Sequence, residues 1–232
     1  AAGRVYLPLA GGPNCKKCYG GGGKGLYLPA VVPGLCSVCL SVNSRRTNVI
    51  LGTDIRVLWG KSAMEDTLCG LHFAVSPLSF FQVNPKQTEK LYGLALDYAG
   101  LTGNETVVDA YCGAGTISLL LAQKAKKVIG IEIVPEAIQN ANENAARNNI
   151  ANAEFRVGAT EELLPQLVAD GLRPDVIVLD PPRKGCDPAV LQAIIAAAPK
   201  RVVYVSCDPA TLARDVAELC GAGYTLEKAQ AY

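Results

Sequence analysis

The stretch Thr106–Glu132, TVVDAYCGAGTISLLLAQKAKKVIGIE, decides the fold. It opens on a short apolar run, TVVDAY, and turns through CGAG. It then continues as TISLLLAQKA, which reads as a helix, and closes on a second apolar run, KVIGIE. Strand, helix and strand in succession, with strands apolar throughout rather than alternating, mark a parallel pair buried on both faces. Gly113 and Gly115 let the backbone turn sharply and let a ligand come close. The motif is not G-x-G-x-x-G and lacks the Lys-Ser/Thr ending of a P-loop, so a nucleoside triphosphate is not expected. Asp109 ends the first run and Glu132 the second. An acid at the end of the second strand of a doubly wound sheet meets a ribose diol. The 17 residues from Gly115 to Glu132 are close to the roughly 20 of nucleotide-binding folds.

The same unit repeats downstream. AEFRVG, DVIVLD and RVVYVSC read as strands; EELLPQLVAD, PAVLQAIIAAA and TLARDVAELCG read as helices, the first interrupted by Pro165 or starting late because of it. YTLEKAQAY is expected to begin a further strand. Upstream, NPKQTEKLYGLALDYAG is a helix with Asn84 as N-cap, Pro85 at the first helical position and Gly100 at its end. Repeated strand–helix units predict an α/β fold with a Rossmann-like, doubly wound, mostly parallel sheet over 77–232. Residues 1–76 are different: glycine-rich, with the alternating segments LCSVCLSVN and RTNVILGTDIRVLWG and a GGGG linker at Gly20–Gly23. They are expected to form part of a β-rich domain.

Two more strand ends carry chemistry. DVIVLDPPRKG ends on Asp180, followed by two prolines that stiffen the turn, and by Arg183 and Lys184, which could meet phosphate. VVYVSCDPATLARDV (Val202–Val216) puts Cys207 at a strand end just before a helix, where the dipole favours thiolate. A lone cysteine is ordinarily a small buried hydrophobe, and Cys220 and Cys69 are read that way; the position of Cys207 argues for a nucleophile. Cys15, Cys18, Cys36 and Cys39 form C-x-x-C pairs 17 residues apart, a zinc-ribbon spacing. However, SVCLSVN alternates as a plain strand, which would turn Cys36 and Cys39 to opposite faces; no metal is expected. His72, the only histidine, sits on an apparent strand and is read as structural.

Composition sets the remaining bounds. Half of the 232 residues are hydrophobic, 19% are charged, and the net charge is +1. A core is affordable on this composition, and no global basic field points to nucleic acid, so such a partner would need a local surface. No secretory signal precedes the nine cysteines, and no apolar run reaches membrane-spanning length. A cytoplasmic protein with free thiols is expected, with no membrane or protein partner. The chain does not begin with Met and stops inside a predicted strand, so it is expected to be a fragment.

Taken together, FFQVNP, DAYCGAGT, GIE, DPPRKG and SCDP resemble the RNA uracil-5-methyltransferases, from about Ser41 to the last residue. The resemblance implies a class I methyltransferase fold, S-adenosyl-L-methionine as cofactor, and uridine in 23S rRNA or tRNA as substrate, with 23S rRNA favoured by TNVILG and VLWG. It also implies that Gln82, Tyr111, Gly113, Thr116, Glu132 and Asp180 contact cofactor and that Cys207 is the nucleophile. Three departures stand out. The family's general base, a glutamate in a His-Val-Glu motif downstream of the nucleophile, would fall beyond Tyr232, together with the last strand of the sheet. The N-terminal β-barrel that many members use for RNA is expected to be missing from this stretch. Ala159 stands where many carry a polar residue near the adenine. Two alternatives stay open: methylation of another RNA base or of protein, for which a cysteine is not needed, and a non-catalytic cofactor- or RNA-binding fragment.

Overall fold

A computed structural model describes residues 35, 37–42, 54–76, 82 and 84–231. The chain separates into two compact units, Ala1–Met64 and Glu65–Tyr232. In the first, β1 (Ser37–Val42) pairs antiparallel with β2 (Asp54–Gly60), and the register slips between Val38 and Cys39. The alternation in both segments predicts this ribbon. Gly20–Gly23, Cys15, Cys18 and Cys36 lie outside the described residues. Cys39 is a half-buried free thiol, its Sγ 3.3 Å from Ser37 Oγ. Among the described residues no group of three or more His, Cys, Asp or Glu is placed to hold a metal.

Among the described residues, the second unit contains six helices, a five-stranded sheet and, but for Met64, a hairpin. The hairpin joins β3 (Met64–Leu68) to β4 (Leu71–Val75) through Cys69 and Gly70. Both turn residues have positive φ, 48° and 80°, as a two-residue hairpin turn of the right twist requires. Helix α1 (Pro85–Ala99) starts where its cap predicts: Asn84 Oδ1 accepts from Gln87 N at 3.3 Å, and Gly100 ends it in the left-handed conformation.

The sheet consists of β5 (Thr106–Asp109), β6 (Lys127–Glu132), β7 (Ala153–Val157), β8 (Val176–Leu179) and β9 (Arg201–Tyr204), all parallel, in the order β7-β6-β5-β8-β9. Helices α2 (Thr116–Ala122), α3 (Pro135–Arg147), α4 (Thr160–Ala169), α5 (Pro188–Ala197) and α6 (Pro209–Gly221) connect or follow the strands. Side chains alternate between two cores, as a pleated strand requires. Val107, Val128, Val176, Val178 and Val203 face the hairpin, α1, α2 and α3. Val108, Ile129, Ile131, Ile177 and Leu179 face α4, α5 and α6. Both faces are buried, hence the continuous apolar runs in the sequence.

Three expectations need correction. Cys220, read as a small buried hydrophobe, is exposed near the end of α6. Pro165 does not break α4, which runs through it. Within ten residues, one lost main-chain hydrogen bond is offset by Leu164, Leu167 and Val168 in the core. YTLEKAQAY forms no strand among its described residues, 224–231; it is exposed apart from Tyr224, whose hydroxyl donates to Pro199 O at 3.2 Å. No helix of the described residues is long and apolar enough to cross a membrane.

Candidate active site

The chain leaves β5 for β6 and β7 on one side, then returns to β8 and β9 on the other. The carboxyl ends of β5 and β8 therefore flank the point where strand order reverses, the crevice in which open α/β sheets bind ligands. Asp109 ends β5 and Asp180 follows β8. Between them a depression is lined by Gln82, Tyr92, Tyr111, Gly113, Thr116 and Asp180, with no basic residue among the described residues of its walls.

Asp109 is fully buried. Its Oδ2 accepts from Ser118 Oγ at 2.6 Å, and its Oδ1 has no hydrogen-bond partner among the described residues. Burial pushes its carboxyl up to about 7; the Ser118 hydroxyl and the Tyr111 main-chain N–H pull it back, while Asp180 and Glu132 add to the rise. Burial also raises the Asp180 carboxyl, to about 6. Asp180 lines the depression and Asp109 lies buried outside its walls; a cationic ligand beside Asp180 would favour the charged forms of these poorly solvated carboxyls.

Glu132 is half-buried at the end of β6. Its Oε2 accepts from Gly113 N at 3.1 Å and its Oε1 from Val134 N at 2.9 Å. Each oxygen keeps acceptor capacity for a further donor. Beside it Ile133, Val134 and Val157 expose apolar side chains, suited to a flat ring. The glycine turn is held open by necessity: Gly115 has φ 82°, and a Cβ there would lie 3.0 Å from Ala141 Cβ and 3.1 Å from Phe155 Cζ. Cys112 in this turn is buried, and burial raises its thiol well above the ordinary value, which makes it an inert packing residue.

Cys207 is exposed, three residues beyond β9. Val205 N donates to Leu179 O at 2.8 Å, extending the β8–β9 pairing to the residue before Asp180. The two segments that follow, 180–186 and 206–215, are bound to each other. Asp215, fully buried on α6, accepts from Cys186 N at 2.8 Å and from the Tyr204 hydroxyl at 2.7 Å through Oδ2, and from Arg214 Nε at 2.8 Å through Oδ1. Arg214 donates onward to Lys184 O and Cys186 O at 3.1 and 3.3 Å. Of the two charges expected to meet phosphate, Arg183 lies 3.6 Å from Asp208 Oδ2.

The six predicted cofactor residues therefore cluster: Gln82, Tyr111, Gly113, Thr116 and Asp180 line one depression, and Glu132 is hydrogen-bonded to its glycine turn. Cys207 stands on the neighbouring strand end, outside those walls. Sequence reasoning missed Tyr92. It is buried on α1; burial is the main cause that pushes its hydroxyl up to about 12, with the polar side chains of Thr116 and Gln82 opposing the rise and Asp180 and Asp109 adding to it. In sequence it is simply one apolar position of an amphipathic helix. Asp215 was missed because Arg-Asp on a helix reads as a solvated charge pair.

A methyltransferase-domain family model matches residues 101–228. The chain belongs to this family, with a class I fold and S-adenosylmethionine as its cofactor. It is 55% identical over 199 residues to an uncharacterized RNA methyltransferase of Clostridium acetobutylicum, covering 86% of this chain and 43% of that one. With its counterpart in Lactiplantibacillus plantarum it shares 56% over 197 residues, covering 85% and 43%. The chain thus spans less than half the length of these relatives. Among solved structures it resembles the Pyrococcus abyssi tRNA (uracil-54, C5)-methyltransferase in complex with S-adenosyl-L-homocysteine, with TM-score 0.69 and 32% identity over 82% of this chain and 46% of that one. A methyltransferase from Agrobacterium tumefaciens shares the fold at TM-score 0.58 and 17% identity, over 72% and 61% of the two chains.

Proposed function

We propose that this chain carries the catalytic domain of an RNA methyltransferase that methylates carbon-5 of a uridine through a covalent adduct of Cys207. When bound, S-adenosylmethionine supplies an electrophilic methyl group on a sulfonium. Glu132 receives the ribose hydroxyls on its spare acceptor positions. Asp109 and Asp180 offer counter-charge, and Gln82, Tyr111, Gly113 and Thr116 shape the pocket.

The residues support a definite chemistry. Uracil carbon-5 is a weak nucleophile. Cys207 Sγ adds to carbon-6, forming an S–C bond and shifting ring electrons towards carbon-5 as an enolate. Carbon-5 would take the methyl carbon, whose bond to the sulfonium would break with its electron pair leaving as S-adenosylhomocysteine; a base would remove the proton from carbon-5, and the S–C bond to Cys207 would then break, restoring the ring double bond and the thiolate. The uracil must be unpaired or flipped out to reach the thiol. The observation that carries this reading is an exposed cysteine at a strand end next to that of Asp180. Methylation of an amino group at an Asp-Pro-Pro turn would not call for it.

For the RNA, 23S rRNA is the favoured substrate, on the resemblance noted above. A tRNA is the alternative, supported by the named activity of the archaeal structural relative. The test is methyl transfer from labelled S-adenosylmethionine to unmodified transcripts of each RNA, followed by digestion to nucleosides. Label at carbon-5 of uridine, released as 5-methyluridine or held on Cys207 as a covalent adduct where no base completes the reaction, and lost in Cys207→Ala although that variant still binds cofactor, is expected. Label in another nucleoside, or undiminished turnover by Cys207→Ala, contradicts the proposal.

A further inference from the structure

Asn144 is wholly buried on α3, and its side-chain amide uses both donors and its oxygen. Oδ1 accepts from Ala74 N at 2.8 Å; Nδ2 donates to Ala74 O at 3.2 Å and to Ala114 O at 3.3 Å. One turn later Asn148 does the same to the next outward peptide group of β4. Its Oδ1 accepts from His72 N at 2.8 Å and its Nδ2 donates to His72 O at 2.7 Å. The match is geometric. Four helical residues advance about 6.0 Å, and two strand residues about 6.6 to 6.8 Å, so asparagines at i and i+4 meet alternate residues of a strand. The pair takes the place of a neighbouring strand along β4. The orientation of the Asn144 amide is fixed by its partners: reversed, its oxygen would face two carbonyls and its NH₂ would face an N–H.

The two asparagines differ in one contact. The remaining donor of Asn148 returns to its own helix, to Asn144 O at 2.8 Å. The remaining donor of Asn144 reaches Ala114 O, between Gly113 and Gly115 in the turn that lines the cofactor pocket. Both of these glycines have positive φ, a conformation that glycine adopts but does not enforce. The turn is otherwise closed by Gly115 N donating to Cys112 O at 2.8 Å and by Gly113 N donating to Glu132.

We propose that Asn144 is a positioning residue for the cofactor: it holds the glycine turn in its binding conformation and ties that turn to the β3–β4 hairpin. This rests on the reading that the turn binds S-adenosylmethionine. Asn144→Asp keeps the shape and the acceptor but, when ionised, removes both donor hydrogens and turns a carboxylate towards two carbonyls. Asn148→Asp makes the same change one turn away without touching Ala114. The experiment compares the two variants, at a temperature where circular dichroism shows both folded. It measures S-adenosylhomocysteine affinity by calorimetry and amide hydrogen exchange of the peptide 111–117 by mass spectrometry. Asn144→Asp should weaken binding about tenfold and speed exchange in the turn, while Asn148→Asp leaves both near the parent values. Equal effects from the two variants, or parent-like affinity and exchange in Asn144→Asp, would overturn the proposal. Should Asn144→Asp not fold, Asn144→Ser, whose shorter side chain cannot span all three contacts, is read by the same two measurements. If the parent chain binds no S-adenosylhomocysteine, the cofactor reading fails, and exchange in the turn alone decides the role of Asn144.

Discussion

Asp109 and Asp215 are both fully buried carboxylates, and they differ in what satisfies them. Asp109 has one oxygen on Ser118 and one without a partner among the described residues, and its carboxyl is raised from 3.8 to about 7. For a raised acid, the associated stability is fully present below the unfolded value and is lost as pH rises through the folded one. Unliganded protein should therefore lose stability between about pH 4 and pH 7 on account of Asp109. In Asp109→Asn this loss should shrink; urea midpoints measured across that range test it, and parallel profiles for parent and variant would contradict it. Asp215 instead is fully engaged by Cys186 N, the Tyr204 hydroxyl and Arg214. Asp215→Ala strands two donors and a cation, and a loss of about 3 kcal/mol is expected. Tyr204→Phe removes one donor and should cost about 1 kcal/mol. Urea unfolding measures both, and equal costs would contradict the central place given to Asp215.

At the scale of the elements, the ends of the helices carry separable contributions. Ala159 is the N-cap of α4 and makes no side-chain hydrogen bond there, although Glu161 and Glu162 already favour that end. Ala159→Ser should stabilise the protein by about 1 kcal/mol in urea unfolding; no gain would mean that the main-chain donors at this end are already satisfied. What the sequence makes legible at this scale is burial and its period. The strands β5, β6, β8 and β9 stand out because both their faces are covered, and α1 because Asn84, Pro85 and Gly100 punctuate it. Hydrogen-bond partners do not show in a period. Tyr92 looks like any apolar helix position, Asn144 and Asn148 look like part of a polar helix face, and Asp215 looks solvated. Each acquires its role from a segment distant in sequence. YTLEKAQAY alternates well enough for a strand, yet it remains irregular because alternation does not supply a pairing partner.

At the scale of the whole molecule, Gln82, Tyr92, Asp109, Tyr111, Glu132, Asp180 and Cys207 all belong to the unit Glu65–Tyr232. The cofactor site should therefore not depend on residues 1–64. A chain starting at Glu65 should bind S-adenosylhomocysteine within about threefold of the parent affinity, as expected of a unit with its own core. Calorimetry measures this, and loss of binding in a folded 65–232 chain would contradict it. The net charge of +1 gives no long-range attraction to RNA, so on the proposed function recognition would rest on local contacts and on covalent capture of the base. The most direct measurement of that capture is a denaturing gel of the protein with S-adenosylmethionine and RNA containing 5-fluorouridine. Fluorine replaces the proton that must leave carbon-5, so the reaction halts at the adduct whether or not a general base is at hand. A band shifted by the mass of the protein, absent with Cys207→Ala and mapping to the peptide of Cys207 rather than of the exposed Cys220, is the predicted result. No band from folded, cofactor-binding protein, or a band that survives in Cys207→Ala, would contradict the assignment of Cys207 as the nucleophile of a uracil methyltransferase.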